Sequence, residues 1–446
     1  MGLSETKSGT QKDHKMAQTF SAMYSNQVGT NFGRGLADAL VPAYARNVLS
    51  ATVVELGWLQ ALTNLFPTVM QVPWGKLSDF FRRRVPFLVL GGIMSFLLYF
   101  FIIGMPNAIT LIILVGTQMF VGSMMIPTWS ALVGDVTTSS NRGTVMGRFF
   151  AAAILASLIG NLIAAVITAW GDPETATVYA IPFFLAGISG IIGSLVMLEV
   201  KEQKVRLHAS PKTIFKFGLK SFLFTSDLSE NRYFRNLVAL NTAFNFMMSV
   251  IWPLLYLTYI EVLDATLSEI MIMAMISTGA TLFFQTKVGK LLDVIGPMPQ
   301  ILISRFAFIS VPIVYALATQ AWHIYVINAA LGFASAMANV AFFAYILDVA
   351  PEEKKGEYFA VYNTMIGIGT FFGSIIGGYL GGYFLDYYGG NWVYGLGAVY
   401  AISAFGRAAC SVWFFKLKDP VKYPSTLTDV IRQTVKRWRD RRWSPF

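Results

Sequence analysis

Twelve long apolar runs follow one another along the chain, at about 25–47, 55–78, 85–105, 108–133, 146–170, 176–198, 236–260, 266–288, 298–318, 321–346, 358–384 and 391–415. Each is long enough to carry a helix across roughly 30 Å of hydrocarbon at 1.5 Å per residue. A transmembrane barrel would show short alternating segments instead. Charge is correspondingly scarce: 13% of the 446 residues are Asp, Glu, Lys or Arg, against about 25% in soluble domains. The expected fold is an all-α polytopic membrane protein.

The few charges are sorted by side. With the amino terminus inside, Lys7, Lys12 and Lys15 precede the first run, and Arg82 to Arg84 separate the second from the third. Arg142 and Arg148 flank the next inner loop, eight bases lie between Lys201 and Arg235, and nine between Lys416 and Arg442. The opposite loops offer Arg46 alongside Asp172, Glu174, Glu261, Asp264 and Asp386. This positive-inside asymmetry predicts that both termini are cytoplasmic. It also explains the net charge of +10 as topology plus attraction to an anionic inner leaflet, with no nucleic-acid partner expected. Residues 1–24 are polar, so no cleavable signal is expected. Cys410 is the single cysteine, which excludes an intramolecular disulfide. No phosphate-cradling GxxxxGK[ST] loop, GxSxG elbow or HExxH pair is present. Neither an enzyme nor a cofactor or metal is expected.

The chain repeats itself. "LSATVVELGWLQA" (49–61) matches "LDATLSEIMIMAM" (263–275), and "GKLSD" (75–79) matches "GKLLD" (289–293), both at an offset of 214. A second pair, at an offset of 213, sets Asp135 against Asp348 and Arg142-Gly143 against Lys355-Gly356. Pro42 matches Pro253 at an offset of 211. The expected organisation is a leader (1–24), a six-helix bundle (25–198), a cytoplasmic linker (199–235), a second six-helix bundle (236–415) and a basic tail (416–446). Two parallel halves of this kind are the architecture of transporters that rock about a site near the midplane.

Gly75-x-Leu77-x-Asp79 followed by Arg83-Arg84 resembles the signature loop of the major facilitator superfamily. With the duplicated Gly289-x-Leu291-x-Asp293 and twelve runs, the resemblance covers essentially the whole chain. Phe80 stands where that loop usually has a base and Arg82 where it usually has a glycine; the second copy keeps the glycine, Gly296, but has lost the arginines. The resemblance implies a gate built from Gly75, Asp79, Arg83, Arg84, Asp135, Arg142, Gly289 and Asp293, weighted towards the first copy. In that reading Asp79 faces a helix amino end or pairs with Arg142 when the halves close. The alternative for the arginines is plain topological anchoring.

Ionisable groups deep in a span cost roughly 2.5–3.5 kcal/mol on insertion scales. Arg34 lies near the midplane of the first run, with Asp38 one turn further out on the same face. Two readings stand: a self-satisfied intrahelical pair, or Arg34 attracting an anionic or polar group while Asp38 carries a proton. Their counterparts in the second half are Asn245 and Ser249, so the charge is one-sided. Arg305 and Arg407 lie nearer the ends of their runs and read as structural, with side chains able to snorkel inward.

Polar residues on helical stripes complete the candidate substrate set: Gln118 and Trp129 in the fourth run, Asn241, Asn245 and Trp252 in the seventh, Asn339 in the tenth. Gln60, Asn64, Asn161 and Asn363 are added by the resemblance, which also implies that runs 1, 4, 7 and 10 line the cavity. Each amide has interhelical bonding as its structural alternative. Drug–proton antiporters of the superfamily usually carry an arginine four residues before a glycine in the fourth helix and a Gly-Pro motif in the fifth. Here Gln118 precedes Gly122, and the fifth run has no proline. The expectation is a secondary transporter of a small amphipathic organic solute, monomeric, in the plasma membrane, with proton coupling left open. An uncoupled facilitator or a lipid-like or drug exporter is the alternative within the class; a non-transporting receptor or scaffold is the alternative outside it. Segments 212–224 and 428–443 read as amphipathic surface helices on the anionic leaflet.

Overall fold

The computed structural model describes residues 2–81, 83–137, 142–200, 231–351 and 354–417; side chains are described from Ala17 onward, apart from positions 79, 142–144 and 286. The expected surface helices at 212–224 and 428–443 lie outside the described residues.

All twelve runs are helical. The first half comprises α1 (Gly2–Ala37 and Leu40–Asn47), α2 (Val53–Val69 and Gln71–Phe81), α3 (Val85–Leu97, tightening into a 3-10 turn over Leu98–Gly104), α4 (Ala108–Gly122 and Met125–Val136), α5 (Arg142–Thr168) and α6 (Ala176–Leu195). The second comprises α7 (Arg232–Ser249 and Trp252–Leu257), α8 (Leu267–Ile295), α9 (Pro297–Ala307 and Ser310–Leu317), α10 (Ala321–Val349), α11 (Lys355–Tyr387) and α12 (Trp392–Phe414). Ten of these, α3 to α12, are long and apolar enough to cross a membrane by length and composition alone. The remaining two, α1 and α2, carry Arg34 and Asp38, and Glu55, Gln60 and Asn64, which lower their hydropathy.

Proline explains where helices break. A proline at position i cannot bond the carbonyl at i−4 and crowds it. Interruptions fall at Asp38–Ala39 ahead of Pro42, Met70 ahead of Pro73, and Ser123–Met124 ahead of Pro127. They recur at Val250–Ile251 ahead of Pro253 and Phe308–Ile309 ahead of Pro312. Helices α5, α8, α10, α11 and α12 contain no proline and run unbroken. The breaks in α1 and α7 correspond across the repeat.

The repeat is also written in the loops before α2 and α8. Thr52 and Glu55 form a reciprocal capping box, and Thr266 and Glu269 form the same box 214 residues on. Just before each box a non-glycine residue takes the left-handed conformation, Ser50 at φ 52° and Asp264 at φ 46°. One sequence motif has produced one local structure twice.

The two sides of the bundle differ. The side that carries Lys76, Arg83, Arg84 and Arg148 is here termed the basic side. On the opposite side a single apolar core joins the halves, with Tyr44, Leu56 and Phe183 packed in one cluster with Ile251, Leu254, Leu267 and Tyr400. On the basic side the core divides. Met23, Leu88, Val133 and Phe149 belong to one cluster, and Leu237, Ile301, Ile346 and Phe414 to another. Contacts across the pseudo-axis follow the same asymmetry. Gly57 of α2 meets Gly378 of α11 so closely that a Cβ on Gly57 would lie 2.9 Å from the Gly378 Cα. Ser268 of α8 donates to the Ala165 carbonyl of α5 at 2.7 Å. Arg46, at the end of α1, donates through Nε to Glu261 Oε1 beyond α7 at 2.7 Å. On the basic side, Gly289 has open space around it. A cleft between the halves therefore opens to the basic side and is sealed on the other.

Large apolar side chains such as Phe101, Ile109, Val166, Phe184 and Phe405 point outward and are exposed. In water this would be an association hazard; around a membrane bundle it is the lipid-facing surface.

Candidate functional site: a one-sided polar cavity

A cavity of about 270 Å³ lies at the level of the helix breaks, just below the low end of ordinary ligand pockets (about 300–1,000 Å³). Asp38, Ser123 and Trp252, each at or beside an interruption, line it. The breaks of α1, α4 and α7 thus bring non-helical backbone to a cavity, one of the settings in which such backbone is tolerated at membrane depth.

Of the sequence-predicted substrate residues, Arg34, Asp38, Gln60, Gln118 and Trp252 meet in this cavity. Its walls come from α1, α2, α3, α4 and the second segment of α7. The expected lining by α1, α4 and α7 is present, whereas α10 does not reach this cavity and α2 and α3 do. The charge is one-sided, as the repeat alignment implied.

Arg34 and Asp38 are both exposed to the cavity, although they sit deep in the bundle. They do not form an ion pair with each other. Asp38 closes the last turn before the break, its N–H bonded to the Arg34 carbonyl at 2.9 Å, and its Oδ1 accepts from the Tyr99 hydroxyl of α3 at 2.6 Å. The Arg34 guanidinium has no hydrogen bond or salt bridge among the described residues. Tyr256, one turn beyond Trp252, brings its hydroxyl from the second half; that oxygen is buried without a partner. Sequence reasoning missed Tyr99, because nothing sets it apart within "SFLLYFFIIG" (95–104). Tyr256 was legible as the i+4 neighbour of Trp252.

The other predicted substrate residues lie elsewhere. Trp129 packs edge-on against Phe149 in the basic-side core, ring centroids 5.4 Å apart. Asn161 is buried and donates to the Ser157 carbonyl at 3.0 Å. Asn241 joins α7 to α11 through Tyr362 Oη at 2.6 Å, and Asn245 donates to the Asn241 carbonyl at 2.8 Å. Asn64 is half-buried, with an unpartnered amide nitrogen beside the cavity-lining Thr63. Asn363 is half-buried and Asn339 exposed, neither lining the cavity.

Among the gate residues, Arg84 Nε lies 2.9 Å from Asp135 Oδ2. This joins the start of α3 to the end of α4 within one half. A Cβ on Gly75 would touch Pro127 of α4 at an ordinary 3.5 Å. Arg83 and Asp293 are exposed. The side chains of Asp79 and Arg142 lie outside the described residues, and with them the proposed Asp79–Arg142 pairing.

Arg305 and Arg407 do not snorkel; both are buried, at 4% and 1% exposure. Arg407 of α12 donates to the Phe308 carbonyl at 2.7 Å and the Met248 carbonyl at 3.1 Å. Phe308 O is the carbonyl that Pro312 leaves without a helical partner, and Met248 precedes the α7 break. The cation thus satisfies the carbonyl ends of two interrupted helices, where the helix dipole is negative. Arg305 lies between the Phe244 and Phe342 rings, 4.4 and 4.3 Å from their centroids. Their reading as structural stands in a stronger form.

Two pseudo-symmetric six-helix bundles around a polar cavity closed on one side define a polytopic membrane transporter. The sequence model of the Major Facilitator Superfamily matches residues 23–374 and, in a second match, 239–446, and the chain belongs to that family. It is 25% identical over 370 residues to an uncharacterized MFS-type transporter of Methanocaldococcus jannaschii, spanning 81% of this chain and 90% of that one. A shorter match, 30% identical over 149 residues, covers 33% of this chain and 25% of the multidrug transporter protein MdtP of Bacillus subtilis. In fold, the chain resembles a bacterial homolog of the human lysosomal transporter Spinster in an inward-facing, unoccupied conformation, with a TM-score of 0.69 at 14% identity over 92% of this chain and 99% of that one. A D-xylose-proton symporter aligns with a TM-score of 0.67 at 13% identity, over 92% and 99%.

Proposed function

We propose that this protein is a secondary transporter that carries a small amphipathic organic solute by alternating access, with the basic side in the cytoplasm. The observation that carries the reading is the asymmetry of the core. One apolar cluster welds the halves on the far side of the cavity, and two separate clusters flank the cleft on the basic side. A cavity with access from one side only is one end-state of a rocking pair of bundles. The solute class follows from the lining: Arg34, Asp38, Gln60 and Gln118 beside Phe96, Leu56, Leu59 and Trp252. A receptor or scaffold would have no need of an accessible polar cavity between halves. The match to MdtP supports a drug exporter as the second reading, but it spans only a third of the chain.

The test is transport in proteoliposomes combined with a tether across the sealed side. In a Cys410→Ser background, cysteines replacing Arg46 and Glu261 are joined by a thiol-specific crosslinker. Uptake and exchange should stop on crosslinking and return when a cleavable linker is cut. Transport that continues at the untethered rate with the halves joined would exclude alternating access.

A further inference from the structure

We infer that the solute is an organic anion, anchored by Arg34, and that it is carried together with one proton held on Asp38. The inference rests on the transport reading above and adds the charge of the solute and its coupling.

Two placements lead to it. First, Arg34 offers a guanidinium to the cavity with no acceptor of its own among the described residues. A guanidinium presents a planar fork that suits a carboxylate or phosphate. Second, the carboxylate one turn on forms no salt bridge with it among the described residues. Asp38 closes the last turn before the break, its N–H on the Arg34 carbonyl at 2.9 Å, while its Oδ1 takes the Tyr99 hydroxyl of α3 at 2.6 Å.

Charge then links the proton to the solute. Without ligand, Arg34 and an ionised Asp38 sum to zero. The charged and titratable groups lining the cavity are Arg34 and Asp38 from α1, Tyr99 from α3 and Tyr256 from α7; the α2 and α4 walls contribute only uncharged groups such as Gln60 and Gln118. An anion on Arg34 leaves one net negative charge in a low-dielectric space, and a proton on Asp38 removes it. Anion and proton favour each other, and by linkage the effect is reciprocal. The loaded site and the empty site are then both neutral, as a carrier that must rearrange in either state requires.

The experiment is equilibrium binding to the purified, full-length protein, which reads charge recognition without requiring transport. The probes are 3-phenylpropionate, hexanoate and 4-phenylbutyrate, each with its primary amide and primary amine. Carboxylates should bind at least roughly 10-fold tighter than their amides, and their affinity should rise as pH falls, by up to about 10-fold per unit. Arg34→Gln should erase the carboxylate preference and Arg34→Lys should restore part of it. Asp38→Asn should remove the pH dependence and hold affinity near the wild-type low-pH value. Amides or amines that bind as tightly as carboxylates, or no carboxylate binding across the panel, overturn the inference. So does a pH dependence that survives in Asp38→Asn. Any of these could occur in a protein that still fails to exchange solute once its halves are tethered, so the anion reading can fail while the transport reading stands. Carboxylate preference in a protein whose exchange ignores the tether would give the converse.

Discussion

At the scale of single residues, the buried arginines of the second half show how a charge becomes structural. Arg407 has no carboxylate to face; it bonds two backbone carbonyls that proline breaks have left exposed. Hydrogen bonds to a charged group contribute about 1.5–3 kcal/mol each, and the freed carbonyls would be stranded. Arg407→Ala should therefore lower unfolding stability by about 3–5 kcal/mol, measured by chemical or thermal unfolding in detergent. Arg407→Lys should recover only part, since one ammonium cannot fork between both carbonyls. A wild-type stability for the alanine variant would show that the carbonyls find other partners. The gate residues invite a comparison of halves. Asp79→Asn should leave insertion intact and slow transport, while Asp293→Asn, whose exposed carboxylate lies in the last turn of α8 without an arginine cluster after it, should be milder. Equal damage at both sites, in matched transport assays, would mean the two loops share the work.

Elements owe their shapes to proline and glycine. Five interruptions each precede a proline by two to four residues, so the cavity's irregular backbone was encoded locally. Gly296, at φ 77°, makes the α8–α9 turn in a conformation that side chains resist. Glycine at Gly57 and Gly378 serves a different end, the close crossing of α2 over α11 on the sealed side. Gly57→Leu should wedge that crossing without breaking either helix. The expected result is a population shifted towards opening on the sealed side, read as a longer spin-label distance between α2 and α11 there and a slowed exchange. An unchanged distance distribution would mean that the contact yields elsewhere.

For the whole molecule, the balance between states depends on what is shared by the halves. Arg46 bonds Glu261 and the Ala51 carbonyl and lies 5.3 Å from the Trp392 ring centroid, so one side chain ties together α1, the turn after α7, and α12. Both members of the ion pair are part-exposed, at 23% and 21%, which limits the pair to about 1 kcal/mol or less once screening is counted. That is still several-fold in a two-state balance. Glu261→Gln should raise the labelling rate of a cysteine placed on the sealed side of the cavity by a few-fold, with little change in stability. No change in labelling would assign the seal to the apolar core alone.

The sequence by itself determined the helices, their number, the repeat and the one-sided charge. These depend on hydropathy over some twenty residues or on short matched motifs, both local properties. It also set Arg34 and Asp38 four residues apart in the first helix. What it left open was whether they satisfy each other, because i and i+4 spacing sets them on one face but cannot show that Tyr99 of another helix takes a carboxylate oxygen of Asp38. Only the tertiary structure turned Asp38 to Tyr99, sixty-one residues away, and left Arg34 facing the cavity. It alone separated the amides, setting Gln60 and Gln118 in the cavity while Asn161, Asn241 and Asn245 bond helix backbone or α11. An amide's choice between substrate and scaffold depends on which helix packs over it, and that is decided by packing across the whole bundle.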